Sequence, residues 1–234
     1  MNTAANNAQS AVQEFYAAAE CNRAAEDRTG HVVDLSSPRG HEAMILGDLR
    51  GNYDHFTRLL EVAALDKHPD RHLILHQVVY GGPTYPNSNA CRSIRLLREA
   101  AALKVRHPDR VHFLLGGHEF AELTSHPVRQ GGELLNVNFL RGLQRAFGPE
   151  ARRVQQACHA FLKSCPLGVG LPGRIFVSHS ISEGNETTPF DKQLLAKEWT
   201  PDDLAANGGI HRMLVGQDDR EENSAAFADL IGAD

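Results

Sequence analysis

No run of this 234-residue sequence is long and apolar enough to cross a bilayer as a helix, which excludes a transmembrane-helix class. Clustered Lys and Arg are also missing. A phosphate backbone is bound mainly through such clusters, and the formal net charge here is −5, so nucleic acid is excluded as a partner. The four cysteines, Cys21, Cys91, Cys158 and Cys165, contain no C-x-x-C pair, which removes the usual zinc and redox motifs. Cys158 and Cys165 would share a helix face, where a buried free thiol is the expected state, and all four read as structural or incidental. The opening residues MNTAANNAQSAVQEF show neither a basic leader nor an apolar signal-peptide core, so nothing marks export and a cytoplasmic location is expected. No internal repeat or low-complexity segment interrupts the chain.

What is present is an ordinary globular balance, 41% apolar and 23% charged, on a length that suits one large domain. Residues 9 to 27 read as a helix with Val12, Phe15 and Tyr16 on its apolar side, and residues 1–29 as an N-terminal helical extension. The runs His31 to Leu35 and Glu42 to Leu46 read as two strands joined by a loop. A helix with Phe56, Leu59, Leu60 and Ala63 in register follows, then a buried strand over His72 to Val79, then a helix carrying Ile94, Leu97, Ala101 and Val105. Val111 to Leu115 reads as a third buried strand that ends at Gly116 and Gly117. Two helices, one with Leu135, Phe139, Leu143 and Phe147 and one with Val154, Cys158, Phe161 and Leu162, form an expected helical insertion over 133–165. Gly168 to Leu171 and Arg174 to Ser178 read as strands around the turn Pro172-Gly173, and a last helix is expected over Arg220 to Leu230. The alternation predicts an α/β fold with a largely buried sheet.

In such folds ligands gather at the carboxyl ends of strands, which here carry Asp48 and Arg50, Gln77 and Tyr80, His118 and Glu119, and His179. Each has a plain structural reading as well. Asp48 alone would more often cap the next helix than bind a ligand, and His179 alone would more often be a hydrogen-bonded core histidine. His118 and Glu119 do not start the zinc motif H-E-x-x-H, because Glu122 stands in its fifth place. The glycine pairs at 81–82 and 116–117 fit tight turns, since neither forms the G-x-x-x-x-G-K-[ST] loop. Glu221 and Glu222, with Asp218, Asp219 and Arg220, read as a solvated helix start.

Four ordered segments carry a resemblance. ILGDLRGNYDHFTRLLE resembles G-D-x-H-G plus helix, LILHQVVYGGP resembles L-x-L-G-D-x-V-D-R-G-P, VHFLLGGHE resembles G-N-H-E, and LPGRIFVSHSI resembles the segment bearing a later metal-binding His. Together they are similar to the calcineurin-like metallophosphoesterases and the related bacterial phosphoprotein (Ser/Thr) phosphatases. The resemblance covers roughly residue 30 to the end and implies a layered sheet with flanking helices over 30–234. LVGQDDREENSAAFADLIGAD is similar to the W-G-R-D stretch and helix of bacterial members, so the fold is expected to be C-terminally incomplete, short of a final strand and ligand His.

The family's chemistry is hydrolysis of a phosphate ester by water held between two metals. Position by position, the resemblance implies metal-ligand roles for Asp48 and His179, a weak one for Gln77, a general-acid role for His118 and an orienting role for Glu119. Arg50 replaces the motif His, Gln77 the bridging Asp, Tyr80 the Asp partner of the acid, Gly81 the phosphate-gripping Arg and Gly117 the ligand Asn. Arg50 brings a permanent cation to the first metal position, where unit like charges at 4 Å repel by about 4 kcal/mol at an effective dielectric near 20. A two-metal centre is therefore not expected, and at most one divalent metal (Mn, Fe or Zn) is. Arg50 could pair with Asp48 instead and receive an anion. The expected function is a degenerate domain with weak or no catalysis that binds a phosphorylated protein or small phosphoester through Arg50, His118 and His179. The alternative is an active metal-dependent phosphomonoesterase. Composition and motifs leave the oligomeric state open.

Overall fold

The computed structural model describes residues 3–36, 42–182, 190–216 and 220–233. In chain order the elements are α1 (Thr3–Arg23), β1 (Arg28–Thr29), β2 (Val32–Asp34), β3 (Glu42–Ile45), α2 (Tyr53–Ala63), β4 (Arg71–Leu75), α3 (Ile94–Arg106) and β5 (Val111–Phe113). They continue with α4 (Gly117–Thr124), a small hairpin of β6 (Arg129–Gln130) and β7 (Glu133–Leu134), α5 (Leu135–Phe147) and α6 (Ala151–Ser164). Then come β8 (Gly168–Leu171), β9 (Ile175–Ser178), α7 (Pro201–Leu204), α8 (Gly209–Val215) and α9 (Glu221–Ile231). No helix among the described residues is long and apolar enough to cross a membrane.

Two sheets face each other. One has the order β3-β4-β5, all parallel, with Ile45 beside Ile74 and Leu75 beside Phe113. The other has the order β1-β2-β8-β9, in which β2 runs parallel to β8 and β9 returns antiparallel to it. Alternation along β4 and β5 produces the layering. Leu73, Leu75, Val111 and Phe113 join the helical core, while Ile74 and the following Leu114 point the other way and pack with Val33, Leu35, Val169 and Leu171 of the second sheet. The α/β architecture expected from the sequence is the one observed.

The two strands expected on either side of Ser36 to Gly40 are present as β2 and β3, and they lie in different sheets. The strand expected over His72 to Val79 stops at Leu75, and Gln77 and Tyr80 turn into the left-handed region, at φ 52° and 65°. Ile94, Leu97 and Ala101 are buried on α3 as expected, whereas Val105, expected on the same side, is 41% exposed. Of the segment compared with W-G-R-D, residues Gln217, Asp218 and Asp219 lie outside the described residues, and Glu221 and Glu222 form the first turn of α9. Helix α1 packs along α6 and α3 through Ala8, Ala11, Val12, Phe15 and Ala18, a small-residue stripe that admits close approach.

Candidate functional site

The loops after β3 and β4 interlock at the carboxyl end of the parallel sheet. Leu49 and Arg50 both donate their N–H groups to the carbonyl of Gln77, at 3.0 and 2.7 Å, and Gly51 donates to the carbonyl of Val78 at 2.8 Å. Gly82, at φ +69°, lies so close that a Cβ there would sit 2.5 Å from the carbonyl oxygen of Gly51, and no other residue fits. Four non-glycine residues of these loops, Arg50, Gln77, Tyr80 and Asn87, have positive φ, a conformation that carries local strain, least for the asparagine.

Arg50 pairs with Asp48. Its Nε and Nη2 both donate to Asp48 Oδ2, at 3.0 and 2.8 Å. The two side chains are 45% and 37% exposed, so the pair contributes little, about 0.2–1 kcal/mol, and an incoming anion can compete for the guanidinium. On the other side of Asp48 stands His76, with Nδ1 3.6 Å from Oδ1. His76 faces His179, Nδ1 to Nδ1 at 3.2 Å, so one ring carries the shared proton and the other supplies the lone pair. Burial holds His76 below its ordinary titration range despite the attraction of Asp48. Burial, and then the neighbouring His76, push His179 down to about 4 against the pull of Asp48. Both imidazoles are therefore neutral at pH 7, and the contact of His76 with Asp48 is not an ion pair.

His118 opens α4 beside this group. Its backbone N–H donates to Gln77 Oε1 at 2.9 Å, and its Nδ1 is 3.4 Å from the carbonyl oxygen of Val79. Burial lowers its pKa, the Val79 carbonyl opposes this, and Arg50 lowers it further. The side chain of Gln77 thus acts as an acceptor that anchors the start of α4. Glu119 lies fully buried beneath, its Oε1 accepting from the N–H groups of Val78 and Val79 at 2.8 and 2.9 Å, so it holds the β4 loop that His118 rests on.

The ring of Tyr80 lies against that of His118, with centroids 5.2 Å apart at 41°. Its hydroxyl donates to Glu122 Oε2 at 2.9 Å and accepts from Asn136 Nδ2 at 2.8 Å, in a buried network that Gln155 and His159 complete at Glu122 Oε1. Burial, and then Glu122, raise its phenol far above the ordinary range. At Gly117 a Cβ would lie 2.6 Å from the carbonyl oxygen of Leu214, so α8 closes over this position and leaves no room for a longer residue there.

The structure brings Asp48, Arg50, Gln77, His118 and His179 to one end of the sheets, with Glu119 supporting from below. His76 is the residue the motif comparison passed over, because it stands where the family pattern has a glycine. An imidazole at the end of a buried apolar run was the available signal. Among the described residues no group of three or more His, Cys, Asp and Glu side chains is arranged to hold a metal ion.

The fold is similar to that of a Ser/Thr protein phosphatase from Saccharomyces cerevisiae described as similar to human phosphatase PP5, with a TM-score of 0.66 at 12% identity, over 96% of this chain and 68% of that one. The chain has a Ser/Thr-phosphatase-like fold. At that identity the likeness concerns the fold and not the chemistry. No protein-family model and no curated protein matches the sequence.

Proposed function

We propose that this phosphatase-like domain binds a phosphate-bearing ligand, on a protein or a small ester, at its strand ends and does not hydrolyse it through a two-metal centre. The observation that carries the reading is the state of Asp48 and Arg50. A carboxylate that would have to coordinate a metal is engaged by a guanidinium, and that guanidinium is loosely held, half exposed and flanked by the neutral imidazoles of His118 and His179. The donors present do not fit a two-metal centre. Gln77 Oε1 already accepts a backbone N–H, Gly117 has no side chain, and the facing Nδ1 atoms of His76 and His179 occupy one another. An arriving phosphate would instead exchange Asp48 for its own oxygens on Arg50, with imidazole N–H groups as further donors.

A second reading rests on a specific juxtaposition. Asp48, His76 and His179 lie in a chain of 3.6 and 3.2 Å contacts. They would hold one divalent ion (Mn, Fe or Zn) in an active phosphomonoesterase if Arg50 withdrew and the imidazoles turned apart. His118 would then be the group placed to protonate a leaving oxygen.

One pair of variants separates the readings. In the binding reading Asp48→Asn releases Arg50 and tightens calorimetric binding of a phosphoserine peptide about threefold to tenfold, Arg50→Ala weakens it, and hydrolysis of an aryl phosphate is absent with or without added Mn, Fe or Zn. Near-stoichiometric metal in the purified protein, together with hydrolysis that Asp48→Asn and His179→Ala both abolish, would replace it with the second reading.

A further inference from the structure

A second concave site shares none of its lining with the strand-end group. A cavity of about 410 Å³ opens between the carboxyl-terminal ends of α1 and α6, the start of β2 and the segment 196–199, lined by Arg23, Arg28, His31, Lys163, Glu198 and Trp199 among others. That volume lies within the range of small-ligand pockets. Three permanent cations from three separate elements meet one carboxylate there.

Arg28 is the fixed member. Its Nε donates to the carbonyl of Gly30 at 2.7 Å, and its Nη1 donates to the carbonyls of Asn22, at 3.1 Å, and Ser164. Asn22 and Ser164 lie in the last turns of α1 and α6, so the guanidinium clasps two helix ends and cannot swing. The clasp accounts for Nε and Nη1. It leaves Nη2, with two N–H donors, without an acceptor among the described residues and in reach of solvent.

The neighbouring charges do not cancel this one. Burial disfavours the charge of Arg28, with Arg23 adding to this and Glu198 opposing it, and burial lowers the pKa of His31, with Arg28 and Lys163 adding to this and Glu198 opposing it. Lys163 forms no ion pair among the described residues, and Arg23 meets only Glu20 in an exposed pair. Glu198 is the single carboxylate in the lining. His31 lies flat on Trp199, with ring centroids 4.0 Å apart at 19°, and donates through Nε2 to the carbonyl of Lys197 at 3.1 Å, which gives the cavity a rigid aromatic wall.

We propose that this cavity binds a small, multiply charged phosphate-bearing anion, with Arg28 Nη2 as the fixed donor and Lys163 and Arg23 as mobile charges that close on it. With Nε and Nη1 engaged, Nη2 offers its N–H groups as single charge-assisted donors to an oxyanion, and the charges of Lys163 and Arg23 complete the neutralisation of a dianion.

The chain has a single tryptophan, Trp199, so its emission reports on this cavity. The test is a titration with inorganic pyrophosphate at constant ionic strength, in an Arg50→Ala background that disables the strand-end site, followed by fluorescence and by calorimetry. The expected result is saturable binding that Lys163→Glu weakens by about tenfold or more, while sodium chloride at equal ionic strength produces no such change. The proposal is overturned if neither method detects saturable binding in the Arg50→Ala background, or if Lys163→Glu binds as tightly as its parent. Because Arg50 is absent throughout, failure here leaves the strand-end reading untouched.

Discussion

Glu119 shows at the residue scale how burial sets chemistry. Burial pushes its carboxyl from an ordinary 4.5 up to about 7, against the N–H groups of Val79 and Val78, which favour the carboxylate. Its second oxygen, Oε2, is buried with no partner, which suits a protonated acid better than an anion. A raised folded-state pKa means that the folded chain keeps a proton the unfolded chain has released. Its contribution is therefore fully present below pH 4.5 and is lost as the pH rises through about 7. Between pH 5 and pH 8 this amounts to about 2 kcal/mol of lost stability. Glu119→Gln retains an oxygen for the two N–H groups and has nothing to titrate, so its urea-unfolding free energy should fall less than the parent's over that interval. Equal pH dependence in the two proteins would show that the carboxyl ionises freely in the folded state. The positions of Asp48 and His118 at strand ends were legible from glycine-terminated apolar runs, and that of His179 from the β-prone run it follows. His76 was not, because its partners Asp48 and His179 are distant in sequence and a histidine between Leu75 and Gln77 carries no motif. The role of Glu119 was equally hidden, since its partners are main-chain groups that carry no sequence signal.

At the scale of elements, periodicity located the long helices, missed the short α7 and α8, and placed the ends of the strands poorly. The run His72 to Val79 stays apolar past Leu75 because Val78 and Val79 are buried in the loop, so hydrophobicity alone could not show where the ladder stops. Pairing was also invisible, and β2 and β3 lie in different sheets although they are close in sequence. Helix α1 is a similar case, since its apolar stripe is legible but its contact is not. Phe15 stacks on Phe161 of α6, with centroids 6.0 Å apart at 26°, and Phe161 in turn meets Phe113 of β5 at 5.5 Å. The first helix is thereby tied through α6 to the central sheet. Phe15 is fully buried, so Phe15→Ala should cost about 3–5 kcal/mol. The effect should appear as a lower midpoint of one cooperative transition. If instead α1 melted in a separate early step while the rest kept the parent's midpoint, the tie through Phe161 would not be the one that matters.

For the whole molecule, the thiols offer a test of whether the two facing sheets and their helices unfold as one body. Cys91, Cys158 and Cys165 are buried and Cys21 is half-buried, and all four are free. Burial raises the pKa of Cys91, Cys158 and Cys165, and for Cys91 and Cys165 it outweighs neighbours that favour the thiolate. A thiol that is both inaccessible and held protonated does not attack a disulfide reagent until the structure around it opens. These three sit in different surroundings, Cys91 after the β4 loop, Cys158 inside α6 and Cys165 just beyond it, where Asn22 of α1 reaches its sulfur. In the folded chain an aromatic disulfide reagent should therefore react rapidly with Cys21 at most, and all four thiols should react in denaturant. Under slow-labelling conditions the three buried thiols should be modified at a common rate that follows global opening. A markedly faster rate at Cys91 would instead mark the loop between β4 and α3 as a locally opening unit. That loop packs against Arg50 and Gly51, so its separate motion would bear directly on how a ligand reaches the strand-end site.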